Sequence, residues 1–428
     1  DQVETDKPNA AGWLLPEGHN IHRRYPEVAI LIPDTIGRAC GGLCASCQRL
    51  YDFQSGRFNF DMEALIPKQA WDSKLKLLMK YFLEDKQLRD ILITGGDALM
   101  SRNNSLKKIL DAVYVMAKQK QHDNMKRPSG EKYAEIQRVR LGTRLPVYLP
   151  MRINDELITI LSEFKEKAVK IGITQFFIQT HFQTPLEITL EVRDGIRKLN
   201  AAGWTVTNQL VYNVAASRRG HSAKLRRELN KIGVLCYYTF SVKGFDENHA
   251  VFTPNSRSLQ EQQEEKMFGQ LNAAGASELI EYLNNNCSQE KSISQIEKKY
   301  DLPFLATDRN VMNLPGIGKS MTFNLVAIMP DGCRILAFTH DNTRRHSPVI
   351  KDIPIVYIKE NKSLAEYIRQ LSDMGEKVSD YSSLWKYTSG KTEPRFAFYE
   401  YPKPAEEYTT EYSAHAKADE MIEFLNQF

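Results

Sequence analysis

An α/β fold built on a parallel sheet is what this sequence predicts, and three observations predict it. Six short runs with strand character recur through the first part of the chain, at Val28–Ile32, Asp90–Thr94, Gln137–Leu141, Thr174–Gln179, Trp204–Val211 and Leu235–Ser241. Amphipathic stretches such as DSKLKLLMKYFLEDKQLRD and TLEVRDGIRKLNAAG lie between them, with the apolar spacing of helices. The second of these ends at Gly203, a natural helix stop just before a strand run. Strands alternating with helices read as βα units. Both parallel barrels and open sheets place their active sites at the C-terminal ends of the strands.

The remaining elements follow in order. Residues 1–22 form a polar segment that begins DQVETDKPNAAG, without the apolar core of a signal peptide. It does not begin with Met, which leaves room for sequence upstream. Residues 23–255 hold the six strand runs. Within them, residues 118–135 (KQKQHDNMKRPSGEKYAE) read as a polar loop or insertion. Residues 256–300 are helical in pattern and crowded with charge, which reads as a solvated helical insertion. Residues 301–428 form a C-terminal region in which FNLVAIM, the turn PDG and CRILAF read as a hairpin.

A chain of 428 residues is long enough for one large α/β domain with attachments, or for two domains. Its 57 basic and 53 acidic residues leave a net charge of +4, too even to call for a nucleic-acid or membrane partner. No apolar run reaches the roughly 20 residues of a membrane span. Cys236, Cys287 and Cys333 are scattered without a disulfide pattern, so a reducing cytoplasm is the expected compartment.

The other three cysteines are clustered. RACGGLCASCQRLYDF holds Cys40, Cys44 and Cys47 in the spacing C-x3-C-x2-C, just after the first strand run. Thiolates hold iron–sulfur clusters and also zinc. A structural zinc site wants a fourth Cys or His nearby, and the next cysteine is Cys236. Three thiolates on a four-iron cluster would leave one iron open to an external ligand. Small neighbours, as in CGGLCASC, permit a tight wrap. The spacing therefore favours a cluster over zinc, with a purely structural group of thiols third.

This spacing in this position resembles the signature of the radical S-adenosylmethionine (SAM) superfamily. The resemblance implies a partial (β/α)6 barrel, a [4Fe-4S] cluster on Cys40, Cys44 and Cys47, and SAM bound at the open iron. It also implies a Gly-rich stretch after the second strand run that contacts the methionine part of SAM. ILITGGDALM supplies Gly95, Gly96 and Asp97 there. Alone, GGD is most often a strand-to-helix turn.

A second motif, NVMNLPGIGKSMTF, places Lys319 at the end of a Gly- and Pro-containing loop. GIGKS has the end of a phosphate-binding P-loop, but Leu314 stands where the first glycine should be. The other readings are a surface turn, or a lysine that forms a Schiff base with pyridoxal phosphate (PLP). With RRYPEVAILI, GTRLPVYLPMRI, QTHFQTPLEIT, VTNQLVYN, CYYTFSVKG and FTP in order, the chain resembles the lysine 2,3-aminomutase family from about Arg23 to about His340. That family uses a cluster, SAM and PLP together. Ile317 and a shorter loop are departures from its glycine-rich pattern.

The resemblance implies roles by position. Lys319 would be the PLP lysine. Arg49 would grip the substrate α-carboxylate, which an arginine fork pairs at both oxygens. Tyr25 would lie beside PLP, and Arg24 would be a phosphate ligand. His181 and Gln209 would contact SAM, although a lone His is otherwise more often a satisfied core residue. Arg144 and Arg152 remain candidates without an assigned carboxylate. A small amino acid as substrate, an electron donor such as a flavodoxin or ferredoxin, and a homo-oligomer are also implied.

The distal end of the substrate is where this sequence departs. Lysine-acting members carry two aspartates that would pair with the distal ammonium. Lys243 in FSVKGF and Asn313 in VMNLPG stand at those positions. A cation and a neutral polar group suit a distal carboxylate, which points to glutamate among the substrates. Lysine, aspartate, or a neutral or modified amino acid are the other choices, as is a radical SAM enzyme acting on a peptide or RNA. A zinc-stapled binding module without catalysis is the remaining class.

Overall fold

The expected strand runs form β2 (Val28–Leu31), β3 (Asp90–Ile93), β4 (Arg138–Gly142), β5 (Gln175–Thr180), β6 (Thr205–Tyr212) and β7 (Leu235–Ser241). The computed structural model describes residues 21–25, 27–32, 44–46, 70–94, 96–242, 246–285, 289–302, 323–339 and 355–386. One further strand, β1 (Ile21–Tyr25), pairs antiparallel with β2 and makes the sheet order β1-β2-β3-β4-β5-β6-β7. Its sequence, IHRRY, is too charged to read as a strand, and charge is what an edge strand tolerates. The pairs from β2 through β6 are parallel. The six parallel strands with their helices form an α/β sheet with the topology of a partial barrel.

One face of the sheet is apolar. Ile91, Ile93, Val139, Leu141, Phe176 and Ile178 are buried, and alternate residues share a face because the strand period is two. The helices that cover them have matching stripes. Trp71–Glu84 buries Leu75, Leu78 and Phe82 at spacings of three and four. Asp155–Val169 starts at Asn154, whose side chain accepts from the Leu157 amide. Leu190–Ala201 starts at Thr189 in the same way, and Gly203 follows it with φ +78°, the conformation that ends helices on glycine. Trp204 is fully buried between Phe164 and Phe176, and its indole donates to the Leu161 carbonyl at 3.1 Å.

The opposite face is polar. Arg140 Nε donates to Asp90 Oδ1 at 2.8 Å, Arg138 Nη1 to Asp90 Oδ2 at 3.2 Å, and Arg138 Nε to Gln175 Oε1 at 2.6 Å. A barrel interior filled only for stability is packed with branched apolar side chains. This inner face is suited to a polar ligand instead.

Two expectations change. Residues 118–126 belong to the helix Asn103–Lys126 and not to a loop. Their polarity is deceptive, because Lys120 is buried and uses its ammonium on the Phe82 and Asp85 carbonyls at 3.1 and 2.5 Å. The charged stretch after residue 255 is helical, with Asn255–Gln260, Ala273–Asn285 and Gln289–Lys299. Its first part is not solvated: Arg257, Glu261, Glu264 and Glu265 are all buried. Arginine–glutamate pairing makes this burial possible. The expected hairpin is present as β8 (Phe323–Ile328) and β9 (Arg334–Thr339), extended by β10 (Ile355–Lys359).

The chain divides into two compact units. The first holds the described residues within 1–210 and 227–237, and the second those within 211–226, 238–344 and 350–428. In the second, Arg219 donates to Glu264 at 2.5 Å and Glu265 at 3.2 Å, and Arg257 donates to Glu265 at 3.1 Å. Among the described residues no helix is long and apolar enough to cross a membrane.

Candidate functional site

The C-terminal ends of β3, β4 and β5, together with Gln209 of β6, all within the first unit, gather a set of polar side chains. Asp97 follows β3 and is only 5% exposed. It accepts from Thr143 Oγ1 at 2.5 Å, the Arg144 amide at 2.6 Å and the Leu99 amide at 3.0 Å. The first two partners sit at the exit of β4, so the aspartate of GGD joins two strand-end turns. Burial pushes its carboxyl pKa up, against the pull of these donors. Thr94 Oγ1 lies 3.3 Å from the Gly142 carbonyl and 3.4 Å from that of Gly96. Gly142 has no room for a side chain, because a Cβ there would collide with the Thr94 hydroxyl.

Arg144 carries the site across to Cys44. Its Nη1 donates to Cys44 Sγ at 2.9 Å, and its Nη2 donates to Glu187 Oε1 at 2.9 Å. Glu187 uses its other oxygen on the amides of Gln183 at 2.6 Å and Thr184 at 3.2 Å. Thr184 and Glu187 form a capping box at the turn after β5. Burial disfavours the Arg144 cation, but Cys44 and Glu187 outweigh it and hold its pKa above the ordinary arginine value. Arg152 is spent differently, on the carbonyls of Leu99 at 2.9 Å and Ser101 at 3.0 Å.

His181 follows β5. Its Nδ1 lies 3.0 Å from the carbonyl of Gln209 on β6. A carbonyl only accepts, so Nδ1 carries the proton and Nε2 is left as an acceptor. Burial lowers its pKa to about 4, helped by the Arg144 charge and opposed by the Gln209 hydrogen bond. The ring is therefore neutral at pH 7.

Cys44 is a half-buried free thiol with a guanidinium at hydrogen-bond distance. It fits a place in a metal centre. Among the described residues no group of three His, Cys, Asp or Glu could hold a metal. Cys40 and Cys47, with Arg49, Gly95, Lys243, Asn313 and Lys319, lie outside the described residues. Arg24 and Tyr25 are not brought to the same edge. Tyr25 pairs with Val28, the first residue of β2, and Val28 pairs with Asp90, the first of β3, so they lie at the N-terminal ends of the strands.

Against known proteins, no family model matches the chain. An uncharacterised KamA family protein of Methanocaldococcus jannaschii is 28% identical over 373 residues, which is 86% of this chain and 48% of that protein. Glutamate 2,3-aminomutase of Clostridioides difficile is 31% identical over 244 residues, 57% of this chain and 48% of the enzyme. Over about half of its length the chain is similar to proteins named as 2,3-aminomutases. L-lysine 2,3-aminomutase of Bacillus subtilis is 28% identical over 218 residues, 51% of this chain and 38% of the enzyme. The chain spans about half the length, or less, of these curated relatives. The aminomutase relatives are isomerases by name.

Thr143, Glu187 and Gly142 are site residues that motif reading alone does not single out. Glu187 carries a signal of its own, the T-x-x-E capping pattern in QTPLEIT. Thr143 and Gly142 sit in GTRLPVYLPMRI, where nothing in the sequence marks them as partners of Asp97 and Thr94.

Proposed function

We propose that the chain is a radical SAM, PLP-dependent amino acid 2,3-aminomutase that moves the α-amino group of glutamate to C3. The observation that carries this reading is the hydrogen bond from Arg144 to Cys44, which brings Cys44 to the exits of β3 and β4. Homology to aminomutases named for glutamate and for lysine supports the reaction class, and 31% against 28% identity is too close to separate the two substrates. Glutamate rests on Lys243 and Asn313; lysine is the second reading.

When bound, a [4Fe-4S] cluster and SAM supply hydrogen-atom abstraction, and PLP supplies a carbonyl group that takes up the substrate amine. Cys40, Cys44 and Cys47 hold the cluster. Gly95, Gly96 and Asp97 shape the turn where the methionine part of SAM lies. His181 offers Nε2 as an acceptor, its tautomer set by Gln209. Lys319 holds PLP. Arg49 pairs the α-carboxylate of the substrate, while Lys243 and Asn313 receive its distal carboxylate. The enclosing residues exclude water, which would otherwise open side reactions. The reading includes a cytoplasmic homo-oligomer supplied with electrons by a flavodoxin or ferredoxin.

The experiment is anaerobic purification followed by a mass-spectrometric screen of amino acids with reduced protein, SAM and PLP. Brown protein with iron and sulfide near about four each per chain is expected, together with β-glutamate. Ala at Cys40, Cys44 or Cys47 should abolish the cluster and SAM cleavage, while Ala at Cys236, Cys287 or Cys333 should not. Lys319→Ala should keep the cluster and lose the isomerisation. Colourless zinc protein would point to the binding module instead, and borohydride trapping of PLP on another lysine would move the PLP site.

A further inference from the structure

Arg144 is held at two points before any ligand is considered. Its amide is fixed by the buried carboxylate of Asp97, its Nη2 by Glu187, and Glu187 in turn by two backbone amides of its own turn. The remaining arm, Nη1, reaches Cys44 Sγ at 2.9 Å. The Arg144 and Glu187 side chains are 23% and 22% exposed, so solvent screens the pair only in part. A guanidinium held this way cannot swing off the sulfur without breaking the Glu187 contact. Three turns, after β3, β4 and β5, thus combine to point one N–H at one cysteine.

We propose that Arg144, aimed by Glu187, is a positioning residue that acts through Cys44 to raise the reduction potential of the cluster on the cysteine triad. This rests on the cluster reading above. A charged N–H donor on a ligating sulfur withdraws electron density and offsets the negative charge that the cluster gains on reduction. Hydrogen bonds to sulfur are among the features that set such potentials, and partners beyond the ligands commonly change metal-site properties by 10- to 100-fold. The inner face of the sheet supplies no other described cation at hydrogen-bond distance from Cys44.

The test is a redox titration, followed by electron paramagnetic resonance, on reconstituted wild type and on Arg144→Lys, Arg144→Gln and Glu187→Gln, with iron content and circular dichroism measured alongside. Loss of the Arg144 donor should lower the reduced-to-oxidised ratio at a fixed solution potential by roughly tenfold, which for a one-electron couple is about 59 mV in the negative direction. Glu187→Gln should shift in the same direction by less, because the donor remains but is no longer aimed. Arg144→Lys, which keeps the charge, should recover part of the shift. Nitrogen hyperfine coupling from arginine labelled with nitrogen-15 should be present in wild type and absent in Arg144→Gln. Variants that hold a full cluster at the wild-type potential overturn the proposal and leave the cluster reading intact. Wild type that takes up zinc and forms no cluster overturns both.

Discussion

The amide of Arg144 donates to Asp97 Oδ2 at 2.6 Å, so the turn after β3 holds the exit of β4 at the residue whose side chain reaches Cys44. The other oxygen of Asp97 accepts from Thr143 Oγ1 and the Leu99 amide. One buried carboxylate therefore satisfies three donors on two turns.

Asp97→Asn should be costly even though the shapes match. An amide has one acceptor oxygen, so its NH2 group would face the Arg144 amide or the Thr143 and Leu99 donors. A buried donor left without an acceptor costs roughly 1–3 kcal/mol, and a donor facing a donor adds to it, so a loss of roughly 2–4 kcal/mol is expected. Chemical denaturation of wild type and variant at one pH measures it. An unchanged midpoint would show that the carboxylate is not needed as an acceptor.

His181 gives the first unit a dependence on pH. Its folded pKa of about 4 lies below the ordinary value of 6.5, so between these the unfolded chain binds more protons than the folded one. The stability that comes from keeping the ring neutral is complete above pH 6.5 and is lost as the pH falls toward 4. The loss is about 2 kcal/mol by pH 5 and up to roughly 3 kcal/mol at lower pH. His181→Gln keeps a donor for the Gln209 carbonyl and cannot titrate. Its unfolding free energy should change less between pH 7 and 5 than that of wild type. Parallel pH profiles for the two proteins would remove His181 as the cause.

The strands were legible because each apolar run carries its own period and sits between helical stripes. β3, with DILI, needs no partner to be read as a buried strand. β1 was not legible, since IHRRY becomes a strand only when β2 is there to pair with it. The cysteine loop and GGD could be read from spacing. What Asp97 does there could not, because its partners Thr143 and Arg144 lie 46 and 47 residues away and the contact is tertiary. Arg144 and Arg152 look alike in GTRLPVYLPMRI, and only the fold separates the one that reaches a thiol from the one that serves carbonyls. The charge in the helical stretch after residue 255 misled for the same reason, since its partner Arg219 lies well before it in the chain.

That partner makes the second unit sensitive to one substitution. Glu264 is fully buried, accepts from Arg219 at 2.5 Å and accepts from Ser383 Oγ at 2.6 Å. Glu264→Ala leaves Arg219 with the Asp380 carbonyl and with Glu265, which Arg257 also uses. Breaking a buried pair on one side costs roughly 3–5 kcal/mol, whereas Glu264→Gln keeps an acceptor and should cost less. Hydrogen exchange should report faster opening at residues 255–265 in the Ala variant and a smaller change in the Gln variant. Equal protection in all three proteins would make the pair energetically silent.

The last prediction concerns specificity and follows from the proposed substrate. Lys243 and Asn313 stand where lysine-acting relatives of the resembled family would hold aspartates. Lys243→Asp with Asn313→Asp reverses the local charge from positive to negative. A glutamate bound there would set its distal carboxylate against two others. Like charges at close range in a dry site cost several kcal/mol, so glutamate turnover should fall on the order of a thousandfold or more. Lysine turnover should rise by far less, because attraction at one end does not rebuild the shape of a pocket. β-Glutamate and β-lysine formed by wild type and by the double variant, under identical reduction, give the comparison. Unchanged β-glutamate formation would place both residues away from the substrate. Wild type that makes β-lysine faster than β-glutamate would refute the charge argument, and the aminomutase reading would then stand on Cys40, Cys44, Cys47 and Lys319 with lysine as its substrate.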